Sequence, residues 1–240
     1  MGIFQRILKQ KRSKTSAIIV AAGSATRMNG IDKAMATING KPVLFRTIWE
    51  FAINDMIDEI IVVTRPDLVD TVEHWKKISE LGKLKTVVTG GADRAESVMR
   101  GMAQVHKSMD LVAVHDGARP LVSQEIITKT VCKAAETGAS APAIGVKDTL
   151  KVVEQNLITS TPNRDRLRAV QTPQIFDKDL LAGGLYKAKT EGISITDDCS
   201  AVELIGMKVY LTEGSEENIK ITTPLDLKLA KLILEGRTEV

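Results

Sequence analysis

Apolar and polar positions alternate along the chain in a way that predicts strands and helices in turn. Short, continuous apolar runs bounded by polar residues are typical of strands that are buried on both faces of a parallel sheet. Between these runs, apolar residues recur at helical spacing. The pattern therefore predicts an α/β fold, with a mostly parallel, twisted sheet and helices on both faces. The predicted strands are 17–22, 60–64, 86–89, 111–114 and 140–144, with helices near 43–54, 67–81, 94–107 and 123–137.

This pattern breaks after Gly145. Residues 146–171 carry many charges and no long apolar run, so they predict an excursion from the sheet in the form of a protruding β-hairpin arm. The α/β pattern then resumes, with a helix near 178–190, a strand near 208–212 and a last helix from Pro224, for which Thr223 is a suitable N-cap.

The basic charge of the chain is concentrated at its N-terminus. Residues 1–15 hold five Lys or Arg residues and no acidic one, whereas the whole chain has 33 basic and 30 acidic residues. The remainder lacks the basic face of a nucleic-acid-binding protein, and an aromatic content of 3% is too low for a base-stacking platform. We therefore predict that 1–15 is a mobile extension and that 16–240 is a single domain.

The cysteine content and the hydropathy pattern predict where the protein works. Cys132 and Cys199 are far apart in the sequence and form no C-x-x-C pair. This spacing disfavours a disulfide framework or a cysteine zinc site and favours a reducing compartment. No apolar run has the length that a membrane span requires. The sequence therefore predicts a cytoplasmic protein without a membrane or nucleic-acid partner.

Three loops that follow predicted strands carry the polar groups of interest. Because the carboxyl ends of parallel strands meet at one edge of a sheet, loops 23–33, 90–97 and 115–119 are expected on one rim. In the first loop, small residues let backbone N–H groups approach phosphates, and Arg27 and Lys33 add two cations. The loop matches neither the Walker A nor the G-x-G-x-x-G pattern. Taken alone, it also fits an ordinary turn with two surface cations.

For each of the other two loops, a structural role would also explain the residues. The Gly90-Gly91 turn opens a helix, for which Asp93 is a suitable N-cap. In the third loop, Asp116 could hold Mg²⁺ and Arg119 could bind a phosphate, although an internal ion pair explains both residues as well. The sequence has no H-E-x-x-H pattern and no nucleophile elbow, which excludes the common zinc-protease and serine-hydrolase arrangements.

Seven segments occur in a fixed order across residues 21–227. They are AAGSATRM with DK, GGADRAESV, VHDGARP, VKDTLK, RAVQTPQIF, ITDD and NIKITTPLDL. Together they closely resemble the 2-C-methyl-D-erythritol 4-phosphate cytidylyltransferase family of the non-mevalonate isoprenoid pathway. The resemblance implies a Rossmann-like, three-layer nucleotidyltransferase fold. It also implies an enzyme that joins CMP from CTP to 2-C-methyl-D-erythritol 4-phosphate, giving 4-(cytidine 5'-diphospho)-2-C-methyl-D-erythritol and pyrophosphate.

The resemblance further implies roles for particular residues. Catalytic cations of the family match Arg27, Lys33 and Lys220, and a residue that helps to hold Mg²⁺ matches Asp116. CTP would be bound by Ala21, Ala22, Gly23, Ser24, Ala25, Gly91, Arg94, Ser97, Asp116 and Gly117. The methylerythritol phosphate would be bound by Arg119, Asp148, Thr149, Arg164, Thr172 and Thr196. The family's arm implies a homodimer in which 146–171 carries Arg164 into the neighbouring subunit's site.

A few positions depart from the residues that are usual in the family. Glycine is common where Ala25 stands, glutamine where Ala34 stands, an acidic residue where Ala92 stands and alanine where Gly117 stands. None of these departures removes a cation, so activity is still expected.

Three alternatives remain beside the methylerythritol enzyme. A ribitol-5-phosphate cytidylyltransferase shares the CTP motifs, although segments 95–97 and 116–119 look more like the methylerythritol branch. A CTP-binding protein without catalysis would share them too. A nicotinamide-dependent dehydrogenase would require a glycine fingerprint or, in short-chain enzymes, a Tyr-x-x-x-Lys pair, and the sequence has neither.

Overall fold

The structure is a computed structural model that describes residues 12–23, 32–78 and 81–238. In these residues one eight-stranded sheet and two small hairpins are formed. The strands are β1 (Thr15–Ala21), β2 (Thr37–Ile38), β3 (Lys41–Pro42), β4 (Glu59–Thr64), β5 (Leu84–Thr89), β6 (Leu111–Asp116), β7 (Ala139–Gly145), β8 (Val152–Glu154), β9 (Leu157–Ser160), β10 (Arg168–Val170), β11 (Gln174–Asp177) and β12 (Tyr210–Glu213). The α-helices are α1 (Val43–Ala52), α2 (Val69–Ile78), α3 (Arg94–Met102), α4 (Gln124–Thr137), α5 (Lys178–Glu191), α6 (Asp198–Leu204) and α7 (Pro224–Thr238).

The large sheet is mostly parallel, as predicted. Strands β5, β4, β1 and β6 are adjacent in that order and run parallel, so their carboxyl ends meet at one edge. Next comes β11, which runs antiparallel between β6 and β7. The sequence analysis missed β11, because it has only two apolar residues and lies directly before a helix. At β7 the sheet is completed by β10, which is antiparallel, and β12, which is parallel.

Alternation along β1 explains why helices cover both faces of the sheet. Ala17 and Ile19 pack in one core with residues of α1, α2 and α4, whereas Ile18 packs in another with residues of α3, α5 and α6. Because successive side chains of a strand point to opposite faces, a strand that is covered on both sides must be apolar at nearly every position. The predicted three-layer α/β fold is confirmed.

Side-chain caps determine where several helices begin. Asp93 accepts a hydrogen bond from the backbone N–H of Glu96 at the start of α3. At the start of α7, Thr223 accepts from the N–H of Asp226, and the Asp226 carboxylate accepts from the N–H of Thr223. This reciprocal pair is a capping box, and it confirms Thr223 as the N-cap. In the described residues, no helix has the length and apolar character to cross a membrane.

The predicted excursion after Gly145 contains a hairpin outside the main sheet. Its strands β8 and β9 pair antiparallel, and every residue from 147 to 161 is exposed. The chain returns at β10, which pairs with β7, so residues 168–170 of the predicted arm lie in the large sheet.

The N-terminal part of the domain starts earlier than predicted. Strand β1 begins at Thr15, one residue before the predicted boundary at 16. Arg12 donates to the Asp55 carbonyl oxygen at 2.7 Å and to Asp58 Oδ1 at 2.6 Å. Residues 12–15 of the predicted extension are therefore attached to the domain, and its remaining residues, 1–11, lie outside the described residues.

Candidate active site

A cavity of about 400 Å³ lies at the carboxyl edge of the parallel strands, between the ends of β1 and β6 and the start of α3. This volume is within the range of small-molecule sites. The described parts of the three predicted loops line it together, as expected. The predicted site residues that line the cavity are Ala21, Ala22, Gly23, Lys33, Gly91, Arg94, Ser97, Asp116, Gly117 and Lys220.

Small residues at the strand ends allow the loops to approach one another. A Cβ atom at Gly117 would lie 2.9 Å from the Ala21 Cβ atom, and one at Gly90 would lie 2.1 Å from the Ala22 Cβ atom. Both distances are shorter than side-chain contacts normally allow, so a larger residue at either position would require the neighbouring strand end to shift. The glycines therefore let the glycine turn and the end of β6 pack closely against the end of β1.

Ser97 holds the glycine turn against the start of α3. Its hydroxyl donates to the Asp93 carbonyl oxygen at 2.8 Å and accepts from the Gly91 N–H at 3.0 Å. The side chain is buried, so these bonds fix the turn at the cavity wall. In the structure, Ser97 thus shapes the wall through contacts within the chain.

Asp116 lies at the centre of a cluster of charges at the end of β6. Its Oδ2 atom is 2.9 Å from Lys220 Nζ and 3.6 Å from Arg119 Nε, and its Oδ1 atom is 3.8 Å from Arg94 Nε. Burial opposes ionisation of this carboxyl group, but the attraction of Lys220 and Arg94 outweighs burial and lowers the pKa of Asp116 to about 2. The carboxylate is therefore ionised at neutral pH. We call these four residues the Asp116 cluster.

Arg94 also forms an ion pair with a second carboxylate, that of Asp198. Arg94 Nη2 lies 2.7 Å from Oδ2 of Asp198, a fully buried residue in the first turn of α6. Burial raises the pKa of Asp198, and the charge of Arg94 opposes that rise. Gln174 accepts from the backbone N–H of Asp198 at 2.9 Å and donates to Asp197 at 2.8 Å, which attaches α6 to β11. Arg94 is thus placed between two carboxylates that belong to different elements.

A buried histidine connects the cluster to the turn before β11. His115 Nε2 is 3.2 Å from the Arg119 carbonyl oxygen, and His115 Nδ1 is 3.0 Å from Thr172 Oγ1. Burial lowers the pKa of His115 to about 3, so the ring is neutral. Because a carbonyl oxygen can only accept, we assign the proton to Nε2, and Nδ1 then accepts from the Thr172 hydroxyl. That hydroxyl also accepts from the Asp116 N–H at 3.1 Å.

Lys33 faces the cavity from the far end of the first loop. A Cβ atom at Gly23 would lie 3.7 Å from Lys33 Nζ, so the lysine head group is near the end of β1. The other predicted residues of this loop, Ser24, Ala25 and Arg27, lie outside the described residues.

The six predicted substrate residues are not among the residues that line the cavity. Arg119 and Thr172 contact Asp116, which does line it, whereas the other four are exposed. Arg164, in the arm, donates to the Lys147 carbonyl oxygen at 2.9 Å and is exposed. Asp148 and Thr149, at the start of the arm, are also exposed. Thr196 is exposed before α6, with its Oγ1 atom 3.1 Å from Ser200 Oγ.

Several residues that shape the site were not among the predicted site residues. They are His115, Gln174, Asp198 and Asn218, all of them buried polar side chains. Asn218 donates to the Thr172 carbonyl oxygen at 3.0 Å, and its own carbonyl oxygen accepts from Arg119 at 2.6 Å. Polar residues next to apolar strand positions are a weak signal in the sequence, because such residues occur equally often in caps and on surfaces.

The three-layer fold and the charged cavity at the carboxyl edge of its sheet define a nucleotidyltransferase-like α/β protein. The sequence profile of the 2-C-methyl-D-erythritol 4-phosphate cytidylyltransferase family matches residues 15–236. The chain belongs to this family.

Individual relatives agree with this assignment. The 2-C-methyl-D-erythritol 4-phosphate cytidylyltransferase of Caldanaerobacter subterraneus is 45% identical over 228 residues, which cover 91% of this chain and 98% of that protein. The protein of the same name from Clostridium novyi is 44% identical, covering 93% and 98%. Among solved structures, 4-diphosphocytidyl-2C-methyl-D-erythritol synthase from Anaerococcus prevotii superposes with a TM-score of 0.82 at 33% identity, covering 93% and 96%. The sequence-based resemblance is confirmed.

Proposed function

We propose that this chain transfers CMP from CTP to 2-C-methyl-D-erythritol 4-phosphate, giving 4-(cytidine 5'-diphospho)-2-C-methyl-D-erythritol and pyrophosphate in the non-mevalonate isoprenoid pathway. The observation that carries the proposal is the Asp116 cluster, three of whose members, Arg94, Asp116 and Lys220, line the cavity of a member of this family. Both reactants are anions, so the enzyme must offset their repulsion and hold them in line.

In the proposed reaction, a phosphate oxygen of the acceptor attacks the α-phosphorus of CTP. A new P–O bond forms to the acceptor oxygen while the bond to the bridging α,β-oxygen breaks, and pyrophosphate leaves with that electron pair. No covalent intermediate on the protein is required. Lys33, Lys220 and Arg27 are the proposed catalytic cations, since negative charge in the transition state is stabilised by preorganised donors.

CTP is proposed to bind along the backbone of the first loop and the glycine turn. Residues 21–25 would surround the triphosphate with backbone N–H groups, whereas Gly91, Ser97 and Gly117 would leave room for the nucleoside. The close approach of Gly90 to Ala22 and of Gly117 to Ala21 supports this placement, because it brings the backbones of the loops together. Arg94 would face the nucleotide from the start of α3, held by Asp198.

Mg²⁺ is the proposed cofactor, with Asp116 as its protein ligand. In the described residues, no group of three or more His, Cys, Asp or Glu side chains could hold a metal. A single carboxylate nevertheless suits Mg²⁺, which takes most of its ligands from substrate phosphates and water. Asp116 is ionised, and its Oδ1 atom lies 3.8 Å from Arg94 Nε, which is beyond hydrogen-bond distance. That oxygen is therefore suited to bind the ion. When bound, the ion would draw negative charge away from the phosphate oxygens.

The acceptor is proposed to bind at the outer side of the cavity, in contact with a second subunit. Arg119, Thr172 and Thr196 would line this side, and Asp148, Thr149 and Arg164 would come from the neighbour's arm. The arm exposes apolar side chains that support a dimer: Leu157 is 69% exposed and Ile158 is 58% exposed. Exposed apolar side chains that are grouped on one segment are typical of a surface that contacts a partner.

The cytoplasm remains the predicted location. Both cysteines of the chain, Cys132 and Cys199, are free thiols in the structure. Free thiols fit a reducing compartment.

A pyrophosphate-release assay with two acceptors tests the proposed function. With CTP and Mg²⁺, 2-C-methyl-D-erythritol 4-phosphate should give rapid release, and ribitol 5-phosphate should give at least tenfold less. Faster release with ribitol 5-phosphate would show that ribitol 5-phosphate, and not the proposed compound, is the acceptor. CTP binding without release from either acceptor would indicate a silent CTP-binding protein.

A further inference from the structure

Arg65 connects the end of strand β4 to the segment that carries Lys33. It is the first residue after β4, and its guanidinium donates to both oxygens of Asp32, from Nη1 to Oδ1 at 3.3 Å and from Nη2 to Oδ2 at 2.5 Å. Asp32 directly precedes Lys33 in the chain. A bidentate Arg–carboxylate pair restricts the relative orientation of the two side chains as well as the distance between them.

A second carboxylate binds the adjacent edge of the same guanidinium. Arg65 Nε and Nη2 donate to Asp67 at 3.1 Å and 3.0 Å. The Asp32 side chain is 33% exposed, compared with 64% for Asp67, so Asp67 is the outer partner and Asp32 the inner one. Burial opposes ionisation of Asp32, but its hydrogen bonds from Arg65 outweigh burial and lower its pKa. Both members of the inner pair are therefore charged at neutral pH.

Asp32 also fixes the backbone on the other side of Lys33. Its Oδ1 atom accepts from the Ala34 N–H at 3.0 Å, and its carbonyl oxygen accepts from the Ala36 N–H at 2.7 Å. The Ala34 carbonyl oxygen in turn accepts from the N–H of Leu44 in α1 at 3.0 Å. The backbone of Lys33 is thus held between β4 on one side and α1 on the other.

A lysine head group depends strongly on such backbone support. It stands at the end of a flexible four-carbon chain, so rotation about its bonds can move the charge by several ångström. Phosphoryl transfer is sensitive to misplacement of about 1 Å. A fixed Cα position therefore helps to direct Lys33 towards the cavity.

We propose that Asp32 and Arg65 form a positioning pair that holds Lys33 in place for the transfer of CMP. The inference rests on the proposed function, in which Lys33 is a catalytic cation. It assigns a role to two residues that the sequence analysis did not single out and that do not line the cavity. The pair acts through Lys33 and not through the stability of the domain.

The test measures kcat and KM in the pyrophosphate-release assay for single and double variants. Asp32→Asn is informative, because asparagine keeps an oxygen for the Ala34 N–H but loses the charge that pairs with Arg65. Arg65→Gln and Asp32→Asn should each lower kcat roughly 10-fold, with a smaller change in KM for CTP. The matched control is Asp67→Asn, which takes the outer carboxylate from the same guanidinium and should leave kcat within about twofold of wild type.

The decisive comparison repeats Arg65→Gln in a Lys33→Ala background, at high enzyme concentration. If the pair acts through Lys33, the second substitution should change kcat by less than about twofold there. An equal loss in both backgrounds, or a wild-type kcat for Arg65→Gln, would overturn the proposal. A wild-type kcat for Lys33→Ala would instead remove the role of Lys33 in the proposed function. Thermal unfolding of each variant identifies any loss of activity that comes from unfolding.

Discussion

Replacing Asp116 with asparagine tests the electrostatics of the candidate active site. Asparagine has nearly the same shape as aspartate, so the substitution removes the charge and leaves the packing unchanged. The pKa of Asp116 is lowered from 3.8 to about 2 in the folded chain. A difference of about two pKa units corresponds to about 2–3 kcal/mol of stabilisation of the folded state at neutral pH. The free energy of unfolding of the variant should therefore be about 2–3 kcal/mol lower than that of wild type at pH 7.

The sign of the pH dependence follows from the direction of this shift. A carboxyl group with a lowered folded-state pKa contributes stability above its unfolded pKa and loses it as the pH falls through its folded pKa. The difference in the free energy of unfolding between wild type and Asp116→Asn should therefore be constant from about pH 5 to pH 8. It should fall to about half of that value by pH 3. Urea unfolding at several pH values measures it directly.

A matched control separates this effect from the loss of any ion pair. Glu125 pairs with Lys129 on the exposed surface of α4. Glu125→Gln makes the same carboxylate-to-amide change and should leave the free energy of unfolding nearly unchanged. If Asp116→Asn is as harmless as Glu125→Gln, or stabilises the protein, then Asp116 is not the ionised centre of the cluster.

Three further predictions concern the arm, the buried histidine and the N-terminus. Mixing Arg164→Ala subunits with Lys33→Ala subunits should restore part of the activity, because one site of each mixed dimer would be intact; no rescue when native mass spectrometry detects mixed dimers would contradict arm exchange. Burial lowers the pKa of His115 from 6.5 to about 3, so only the unfolded chain gains this proton as the pH falls below about 6.5. His115→Gln should therefore reduce the loss of stability between pH 6.5 and 4, measured by urea unfolding, and an unchanged slope would refute a neutral ring. Deletion of residues 1–15 should lower Tm by several degrees more than deletion of 1–11, because only the longer deletion removes the bonds of Arg12 to Asp55 and Asp58; equal Tm values would show that these bonds contribute little.

The sheet was predictable because burial on both faces leaves a simple pattern. Strands β1 and β4 contain five and four consecutive apolar residues, and such runs distinguish them from surface strands. The meeting of the three loops followed from the same reasoning, since parallel strands present their carboxyl ends at one edge. Strand β11 lacked this signal, because it has only four residues and one of its buried positions is Gln174, whose polar side chain bonds to the start of α6.

The supporting contacts of the site were not predictable from spacing along the chain. Asp198 reaches Arg94 across more than a hundred residues, and in the sequence it looks like one of two acidic residues at a helix start. Helix α3 shows the same limit, since it ends at Met102 although an amphipathic pattern continues to 107. There the N–H of His106 donates to Glu59 at 2.9 Å, a long-range contact in place of a helical one. Tertiary contacts of this kind depend on which elements become neighbours.

Oxygen labelling tests the central claim most directly. The acceptor 2-C-methyl-D-erythritol 4-phosphate, labelled with ¹⁸O in its phosphate, is incubated with CTP, Mg²⁺ and the protein, and the products are analysed by ³¹P NMR and mass spectrometry. The account predicts a cytidine diphosphate product with ¹⁸O in the bridge between its two phosphorus atoms, together with unlabelled pyrophosphate. Label in the pyrophosphate, or no nucleotide product at all, would contradict it.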